Sequence, residues 1–333
     1  PAFAPVLLNL SIIGSVFFIS PSLTPSVIGL AVGVLIGGFL QLAFQLPALI
    51  KRGFYFWEEA KMIHPGLKRV GTLIPPVILG GAVYQINILV GTLLGSLLDQ
   101  GSVTYLYFAD RLVQFPLGVF AIATATAILP SLSRHAASGD FETLKDTFGL
   151  VLTLIFFITL PARIGLIILR EPIVGLLFQR GDFDAQATRL TAQALLYYSV
   201  GLWAFSAVRI VAAAFFAFQD TRTPVIMACI SIFANIVLGV VLMKPLAHGG
   251  LALATSLASM LNLGLLLVAL RTRLGSLGWK SIAQSVCRSL LCSVVMGIAV
   301  HMAASFMIPD ENSTLSGLIG GVAVSIGVGL CIY

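Results

Sequence analysis

Long apolar stretches, separated by short polar or glycine- and proline-containing segments, fill almost the whole chain. Each stretch holds about twenty residues, enough for an α-helix to cross a hydrocarbon layer about 30 Å thick. The pattern predicts an all-α polytopic integral membrane protein with about ten transmembrane helices. These helices are predicted at residues 3–20, 26–50, 71–98, 102–130, 147–169, 190–217, 224–243, 249–270, 281–304 and 315–333.

Composition supports the membrane class. Of the 333 residues, 58% are hydrophobic and only 10% are charged, whereas a soluble domain carries about 25% charged residues. The net charge of +6 is therefore interpreted as a topological signal and not as a nucleic-acid-binding surface. The four cysteines lie inside apolar runs and the four histidines are scattered, so neither set predicts a metal site. The sequence contains none of the common hydrolase, P-loop or metalloprotease motifs, and we expect a protein that is not an enzyme.

The basic residues predict the orientation. Eleven lysines and arginines fall in loops on one side of the predicted helices and four fall on the other. Because positive residues collect in cytoplasmic loops, loops 51–70, 131–146, 218–223 and 271–280 are predicted to be cytoplasmic. The aromatic residues at 54–57 fit either an interfacial helix or an ordinary aromatic belt beside a short linker. Segment 171–189 is predicted to approach the outer interface.

Two segments of the chain resemble each other. Residues 29–52 and 250–273 share nine identical positions of 24, starting with Gly29 and Gly250. The offset spans six helices, so the repeat is parallel. It predicts four parts: residues 1–50 as the last two helices of an N-terminal lobe, 51–70 as a cytoplasmic interfacial linker, 71–270 as a complete six-helix C-terminal lobe, and 271–333 as two additional helices. Since only the last two of six helices of the N-terminal lobe are present, the repeat also predicts four helices, about 150 residues, before Pro1.

Ionisable residues inside the apolar stretches are candidate functional residues, because a charge at the centre of a membrane helix costs about 2.5–3.5 kcal/mol. Helix 102–130 carries a polar stripe in which Tyr107, Asp110, Arg111 and Gln114 lie within one narrow arc. This stripe fits either a structural Arg–Asp pair or a cationic patch in a cavity.

Three further arginines lie within the predicted helices. Arg163 follows Pro161 and fits either a cavity position or an outward, snorkelling one. Arg209 lies among small residues and fits either a cavity or a packing role. Arg288 lies two turns from a cytoplasmic helix end and is predicted to be a snorkelling anchor. Arginines outnumber acids in these helices, and guanidinium groups pair with phosphate and carboxylate, so the predicted substrate is an anion that carries phosphate.

The run GSVTYLYFADRLVQFPLGVFAIATATAILPSLSRH at 101–135 resembles the signature of the MurJ/MviN lipid II flippase family. This family belongs to the multidrug, oligosaccharidyl-lipid and polysaccharide exporter superfamily. The opening PAFAPVLLNLSIIG, the segment LQLAFQLP at 40–47 and YSVGL at 198–202 are similar to the family as well.

The resemblance implies two six-helix lobes around a central cavity, and two C-terminal helices that form a groove for a lipid tail. It implies a monomer in the bacterial cytoplasmic (inner) membrane that moves lipid II, the undecaprenyl-pyrophosphate-linked peptidoglycan precursor, to the outer leaflet by alternating access. The cavity arginine of the family falls on Arg111, and Gln114 stands where some members have an acid. Other arginines and an aspartate of the family belong to helices before Pro1.

No cofactor is expected, and a monovalent ion or the membrane potential is the candidate driving force. Some family members bind sodium, for which the resemblance points to Asn87, Asn235 and Thr255, although these helix centres show no carboxylate. Lipid II and membrane lipids are the expected partners. Two alternatives stay open at this point: an exporter of other polysaccharide-lipid intermediates or drugs, and a non-transporting scaffold for cell-wall synthesis.

Overall fold

The chain folds almost entirely into α-helices. The computed structural model describes residues 3–53, 85–275, 279–307 and 315–333, and no β-strand occurs in these ranges. The helices are α1 Ala4–Phe18, α2 Val27–Ile50, α3 Gln85–Ser96, α4 Ser102–Pro116, α5 Ala123–Ser138, α6 Phe141–Ile168, α7 Arg170–Phe178, α8 Ala185–Ala217, α9 Arg222–Leu274, α10 Trp279–Met307 and α11 Leu315–Ile332. A 3₁₀ turn at Ser20–Ser22 follows α1, and a π-helical segment at Leu117–Ile122 joins α4 to α5.

The chain forms two compact units, Pro1–Gly71 and Thr72–Tyr333. In the described ranges, seven helical stretches are long and apolar enough to cross a membrane, and two shorter apolar helices accompany them. Many large apolar side chains remain exposed along these helices, as expected where lipid is the solvent. The predicted all-α polytopic membrane fold is confirmed.

Helix α9 is a hairpin and not one straight rod. A straight helix of its 53 residues would be about 80 Å long. Instead, Ala247 leaves the helical conformation with φ 48° and ψ −132°, and Arg273 near the end contacts Asp220 just before the start at 2.8 Å. The two limbs are therefore antiparallel and correspond to the two predicted helices 224–243 and 249–270.

Asp220 and Arg273 close the open end of this hairpin. The Asp220 carboxylate accepts hydrogen bonds from the Thr223 backbone N–H at 3.0 Å and from the Thr223 hydroxyl at 2.9 Å. Arg273 donates to the same carboxylate and lies over the Phe218 ring at 5.0 Å. Burial raises the pKa of Asp220, but the Thr223 hydrogen bonds and the Arg273 charge outweigh it and hold the pKa below its usual value.

We expect the variant Asp220→Asn to lower the thermal midpoint of unfolding at neutral pH, because asparagine still caps the helix but cannot pair with Arg273. The expected cost is about 0.5–1 kcal/mol. Since the folded-state pKa is lowered, this stabilisation is present above the unfolded-state pKa of about 3.9 and is lost as the pH falls through the folded-state pKa. The gap in thermal midpoint between wild type and variant should therefore be smaller at pH 3 than at pH 6, because the stabilisation is lost only below about pH 4. A gap of equal size at both pH values, or an equal effect of Asp182→Asn at an exposed acid, would contradict this assignment.

Helix α8 is the centre of the second unit. It packs against α4, α5, α6, α7 and α9 and buries residues around most of its circumference. Small residues make this possible: a Cβ at Gly201 would lie 2.7 Å from the Ser256 Cβ of α9, and the Ser256 hydroxyl donates to the Tyr197 carbonyl at 2.7 Å. Such close contacts between small residues are the usual means of helix packing in lipid.

One predicted connection differs from the structure, and another contains a short helix. The loop predicted at 131–146 is wrong, because α5 continues to Ser138 and only Gly139 and Asp140 separate it from α6. Gly139 takes the left-handed conformation with φ 74°, and the Asp140 side chain caps α6 by accepting from the Thr143 N–H at 3.2 Å. Segment 171–189 contains helix α7, which is followed by the Asp184 cap of α8. Residues 54–84, which include most of the predicted linker 51–70 and the start of the predicted helix 71–98, lie outside the described residues, as do 308–314.

Candidate functional site

A cavity of about 860 Å³ lies within the second unit, between α3, α4, α8 and both limbs of α9. Its volume is in the range of ligand-binding pockets. Its walls are mainly apolar, and the polar groups that line it lie on these helices. The polar lining residues are Asn87, Thr92, Tyr107, Asp110, Arg111, Gln114, Tyr198, Arg209, Ser231, Asn235, Thr255, Ser259 and Asn262.

The predicted polar stripe of α4 faces this cavity. Tyr107, Asp110, Arg111 and Gln114 recur at spacings of three and four, which places them on one side of a helix, and all four line the cavity. Arg111 is exposed to it. Its Nη2 donates to the Tyr107 hydroxyl at 3.0 Å, its Nη1 donates to Gln114 Oε1 at 3.4 Å, and its Cζ lies 4.8 Å from the centre of the Tyr107 ring.

Asp110 bonds to Gln114 instead of to Arg111. The Gln114 amide donates to the Asp110 carboxylate, and no carboxylate of the described chain lies at ion-pair distance from Arg111. The structural Arg–Asp pair that the sequence left open is therefore not formed here. A guanidinium has five N–H donors, so Arg111 keeps free N–H donors, and a charge that no ion pair neutralises, for an anion in the cavity.

A π-helical segment begins directly after this stripe. Pro116 has no backbone N–H to donate, and the chain widens into π-helical turns at Leu117–Ile122. Leu117, Gly118 and Ile122 from this segment line the cavity. Such widened turns inside α-helices are frequent at functional sites. This one changes which side chains of the helix after Gln114 face the cavity.

Arg209 brings a second guanidinium from α8. It is exposed to the same cavity, next to the buried residues Ala207 and Ile210, and forms no ion pair with the part of the chain that the structure describes. With both arginines charged and Asp110 ionised, the charged groups of the lining sum to a net positive charge.

Arg163 does not line this cavity. It lies half-buried on α6, and its Nε is buried without a hydrogen-bond partner among the described residues. Its neighbour Ile164 packs against α10, where a Cβ at Gly297 would lie 2.6 Å from it. The structure thus separates Arg163 from Arg111 and Arg209, and a substrate-binding role for Arg163 stays a prediction.

The three sodium candidates line the cavity from α3 and from both limbs of α9. Asn235 Nδ2 donates to Asn87 Oδ1 at 2.8 Å, and the Thr255 hydroxyl donates to the Leu251 carbonyl at 3.0 Å. Hard cations require several oxygen ligands, usually with a carboxylate. Here one amide oxygen is already bonded to an amide, and no group of three or more histidine, cysteine or acidic side chains that could hold a metal occurs in the described ranges. These residues, as arranged, do not fit a resident cation.

Sequence reasoning missed several uncharged polar residues of the lining. Ser259 and Asn262 lie four and seven positions after Thr255 and extend its face along the second limb of α9, and Ser231 lies four positions before Asn235 on the first limb. Asn262 Oδ1 is buried with no partner among the described residues. The spacing of three and four along an apolar helix was the signal that could have found them.

Membrane-spanning helices around an internal, partly cationic cavity place the chain in the class of multi-pass membrane proteins. The family model described as "Lipid II flippase MurJ" matches residues 1–314, and the chain belongs to this family. The chain is 36% identical over 335 residues to the "Probable lipid II flippase MurJ" of Vibrio cholerae, covering 98% of this chain and 64% of that protein. It is 35% identical over 280 residues to the "Lipid II flippase MurJ" of Burkholderia cenocepacia, covering 82% of this chain and 54% of that protein.

Solved structures agree with this assignment. "Lipid II flippase MurJ, inward closed conformation" matches with a TM-score of 0.78 and 26% identity, covering 100% of this chain and 66% of that one. A MOP superfamily transporter from Pyrococcus furiosus matches with a TM-score of 0.54 and 14% identity over 77% of this chain and 62% of that one, which shows a similar fold. The chain therefore spans less than two thirds of the length of these relatives. The family and the apolar helices identify a multi-pass protein of the bacterial inner membrane.

Proposed function

We propose that this chain is part of a flippase that carries lipid II from the inner to the outer leaflet of the bacterial cytoplasmic membrane by alternating access. The observation that carries the proposal is Arg111. Its guanidinium is exposed to a cavity with mainly apolar walls, and no carboxylate of the described chain pairs with it.

In this proposal Arg111 binds the pyrophosphate of the lipid. Planar guanidinium groups bind phosphate oxygens through paired N–H donors. Tyr107 and Gln114 hold two of the Arg111 nitrogens, which fixes the remaining donors before the anion arrives and lowers the entropy lost on binding. Arg209 adds a second positive group at the cavity wall.

The uncharged polar wall of α9 favours a saccharide-bearing lipid over a hydrophobic drug. Ser259 and Asn262 offer a hydroxyl and an amide to the cavity without adding charge, and groups of this kind suit the hydroxyls and amides of an amino sugar. Transport of such a headgroup forms and breaks no covalent bond, so the role is that of a carrier and not of an enzyme.

The membrane potential fits the charge of the cavity better than a resident cation does. One elementary charge moved across 100 mV corresponds to about 2.3 kcal/mol, and an inside-negative potential drives an anionic headgroup outward. At the sodium candidates Asn87, Asn235 and Thr255, one amide oxygen is already bonded to an amide and the hydroxyl donates to the Leu251 carbonyl. We therefore propose the potential as the driving force, acting on a monomer that has lipid II and the surrounding membrane lipids as its partners.

The test is flipping of lipid II by the full-length protein in proteoliposomes. We expect lipid II to appear in the opposite leaflet, measured by its accessibility to an added modifying enzyme, at a rate that rises with an imposed inside-negative potential. Export of cationic dyes without lipid II movement would instead support a drug exporter. Movement of neither, with cell-wall synthesis still dependent on the protein in cells, would support a scaffold.

A further inference from the structure

Gln114 lies between an acid and a guanidinium on the cavity face of α4. Its amide N–H donates to the Asp110 carboxylate, and its Oε1 accepts from Arg111 Nη1 at 3.4 Å. A carboxylate only accepts hydrogen bonds and a guanidinium only donates them. The amide serves both, because it carries a donor and an acceptor on separate atoms, and it thereby forms a bridge between two groups of opposite charge.

Asp110 and Arg111 are close enough to pair directly if this bridge is absent. Both bond to the same amide group, so their charged ends already lie near each other. Adjacent positions on a helix do not prevent such a contact, since Arg170 and Glu171 form an ion pair at 3.7 Å at the start of α7. The bridge therefore keeps apart two charges that attract each other strongly in an apolar environment.

The two sides of the bridge differ in exposure. The side chains of Asp110 and Gln114 are half-buried at the cavity wall, whereas that of Arg111 is exposed to the cavity. The contact between Gln114 and Arg111 is also long for a hydrogen bond. The amide thus holds the acid at the wall and leaves the guanidinium open to an anion in the cavity.

We propose that Gln114 is a positioning residue that holds Asp110 away from Arg111, and that Asp110 competes with the substrate phosphate for Arg111 when the bridge opens. This inference rests on the proposed role of Arg111 in binding the pyrophosphate. With the bridge closed, the donors of Arg111 are available to the substrate. With the bridge open, Asp110 neutralises Arg111 and the phosphate is displaced.

An internal competitor answers a requirement of any carrier for a strongly bound anion. Charge-assisted contacts between a guanidinium and phosphate are among the stronger hydrogen bonds in proteins, and tight binding lengthens the residence time of the ligand. A carboxylate one position from Arg111 replaces the departing phosphate with another anion, so the guanidinium is not left unpaired. Binding and release then differ only in which anion Arg111 pairs with.

A double-mutant cycle on the full-length, detergent-purified protein tests this competition, with inorganic pyrophosphate as the probe in isothermal titration calorimetry. We expect Gln114→Leu to weaken pyrophosphate binding about tenfold, because Asp110 then pairs with Arg111. Asp110→Asn should bind pyrophosphate at least as tightly as wild type. In the Asp110→Asn background, Gln114→Leu should change the affinity less than about twofold, since the competing charge is gone.

Gln193→Leu is the matched control, because it makes the same change on an exposed face of α8 outside the cavity lining. Its affinity for pyrophosphate should equal that of wild type. The proposal is overturned if Gln114→Leu weakens binding equally with and without Asp110, if it changes nothing, or if Asp110→Asn weakens binding. An equal loss with Gln193→Leu would overturn it as well.

Lipid II flipping tests the release step. Asp110→Asn should lower both the maximal flipping rate and the lipid II concentration at half-maximal rate severalfold, because the anion is bound more tightly and leaves more slowly. A maximal rate at or above that of wild type would overturn the release role. Pyrophosphate binding reports on the anion site whatever the cargo is. The expected cycle without any movement of lipid II by wild type would therefore refute the proposed function and still support the competition between Asp110 and phosphate.

Discussion

Replacing Arg111 by alanine in the full-length protein is expected to abolish complementation of a strain that lacks its own flippase. Arg111 is exposed to the cavity and forms no ion pair with a described carboxylate, so its loss removes an anion-binding group and leaves the helix packing intact. In the proposed complex, Arg111 and the lipid pyrophosphate form a buried charge pair. Truncating one partner of such a pair costs about 2–5 kcal/mol. We therefore expect the rate of lipid II flipping in proteoliposomes to fall by about a hundredfold or more.

Conservative variants separate the charge from its geometry. Arg111→Lys keeps the positive charge but loses the planar fork of donors, so flipping should fall less than in Arg111→Ala without returning to the wild-type rate. Tyr107→Phe keeps the ring beneath Arg111 and removes only the hydroxyl that accepts from it. Its expected effect is a loss of severalfold, because one hydrogen bond that orients the guanidinium is missing.

Arg180→Ala is the matched control for these variants. Arg180 is exposed between α7 and α8, and its hydrogen bond is a long one of 3.4 Å to the Leu176 carbonyl. The change in side chain and net charge is the same as in Arg111→Ala, but it lies outside the cavity. Wild-type growth and flipping with Arg111→Ala, at normal membrane levels, would refute the role of Arg111. An equal loss with Arg180→Ala would mean that net charge, not the cavity, matters.

The sequence was sufficient for the helices and for the polar stripe of α4, because both follow from local geometry. The length of an apolar run determines which segments can cross a membrane. A spacing of three or four residues determines which side chains share a helix face. Tyr107, Arg111 and Gln114 could therefore be placed together before any tertiary structure was known. The hydrogen bond of Asp110 to Gln114 could not, because the sequence is equally compatible with a pair between Asp110 and Arg111.

Tertiary packing decides the positions that the sequence left open. Arg163 and Arg209 both follow small or proline-containing segments, yet only Arg209 reaches the cavity. The difference arises from how α6 and α8 are rotated against their neighbours, which no local pattern encodes. The predicted loop at 131–146 was wrong because a helix that projects beyond the bilayer can carry charged residues such as Arg134 without penalty.

The two glycines that begin the predicted repeat occupy equivalent structural positions. A Cβ at Gly29 would lie 2.6 Å from the Ser20 Cα, where the second limb of the α1–α2 hairpin begins. Gly250 lies where the second limb of the α9 hairpin begins, and a Cβ there would overlap the Leu242 carbonyl oxygen. In both hairpins the obstacle includes backbone, which cannot move aside as the end of a flexible side chain can. The shared glycine is thus explained by the close approach of the two limbs.

Replacing Gly250 by alanine adds one methyl group. It is therefore expected to destabilise the protein more than the addition of one methyl group at any other position of α9. The added Cβ would overlap the Leu242 carbonyl, so the two limbs must separate, and overpacking of this kind typically costs 1–3 kcal/mol or more. Gly264→Ala is the matched control, because Gly264 lies on the same limb with nothing within 4 Å of its Cβ position. There alanine should be neutral or stabilising, since it has the higher helix propensity by up to about 1 kcal/mol.

Thermal unfolding of the detergent-purified full-length protein should show a lowered midpoint, or a failure of the protein to accumulate, for Gly250→Ala alone. Equal midpoints for the two variants would mean that the limbs of α9 do not approach as closely as this hairpin requires. The explanation of the glycine at position 29 by a close approach of two limbs would then be unsupported as well.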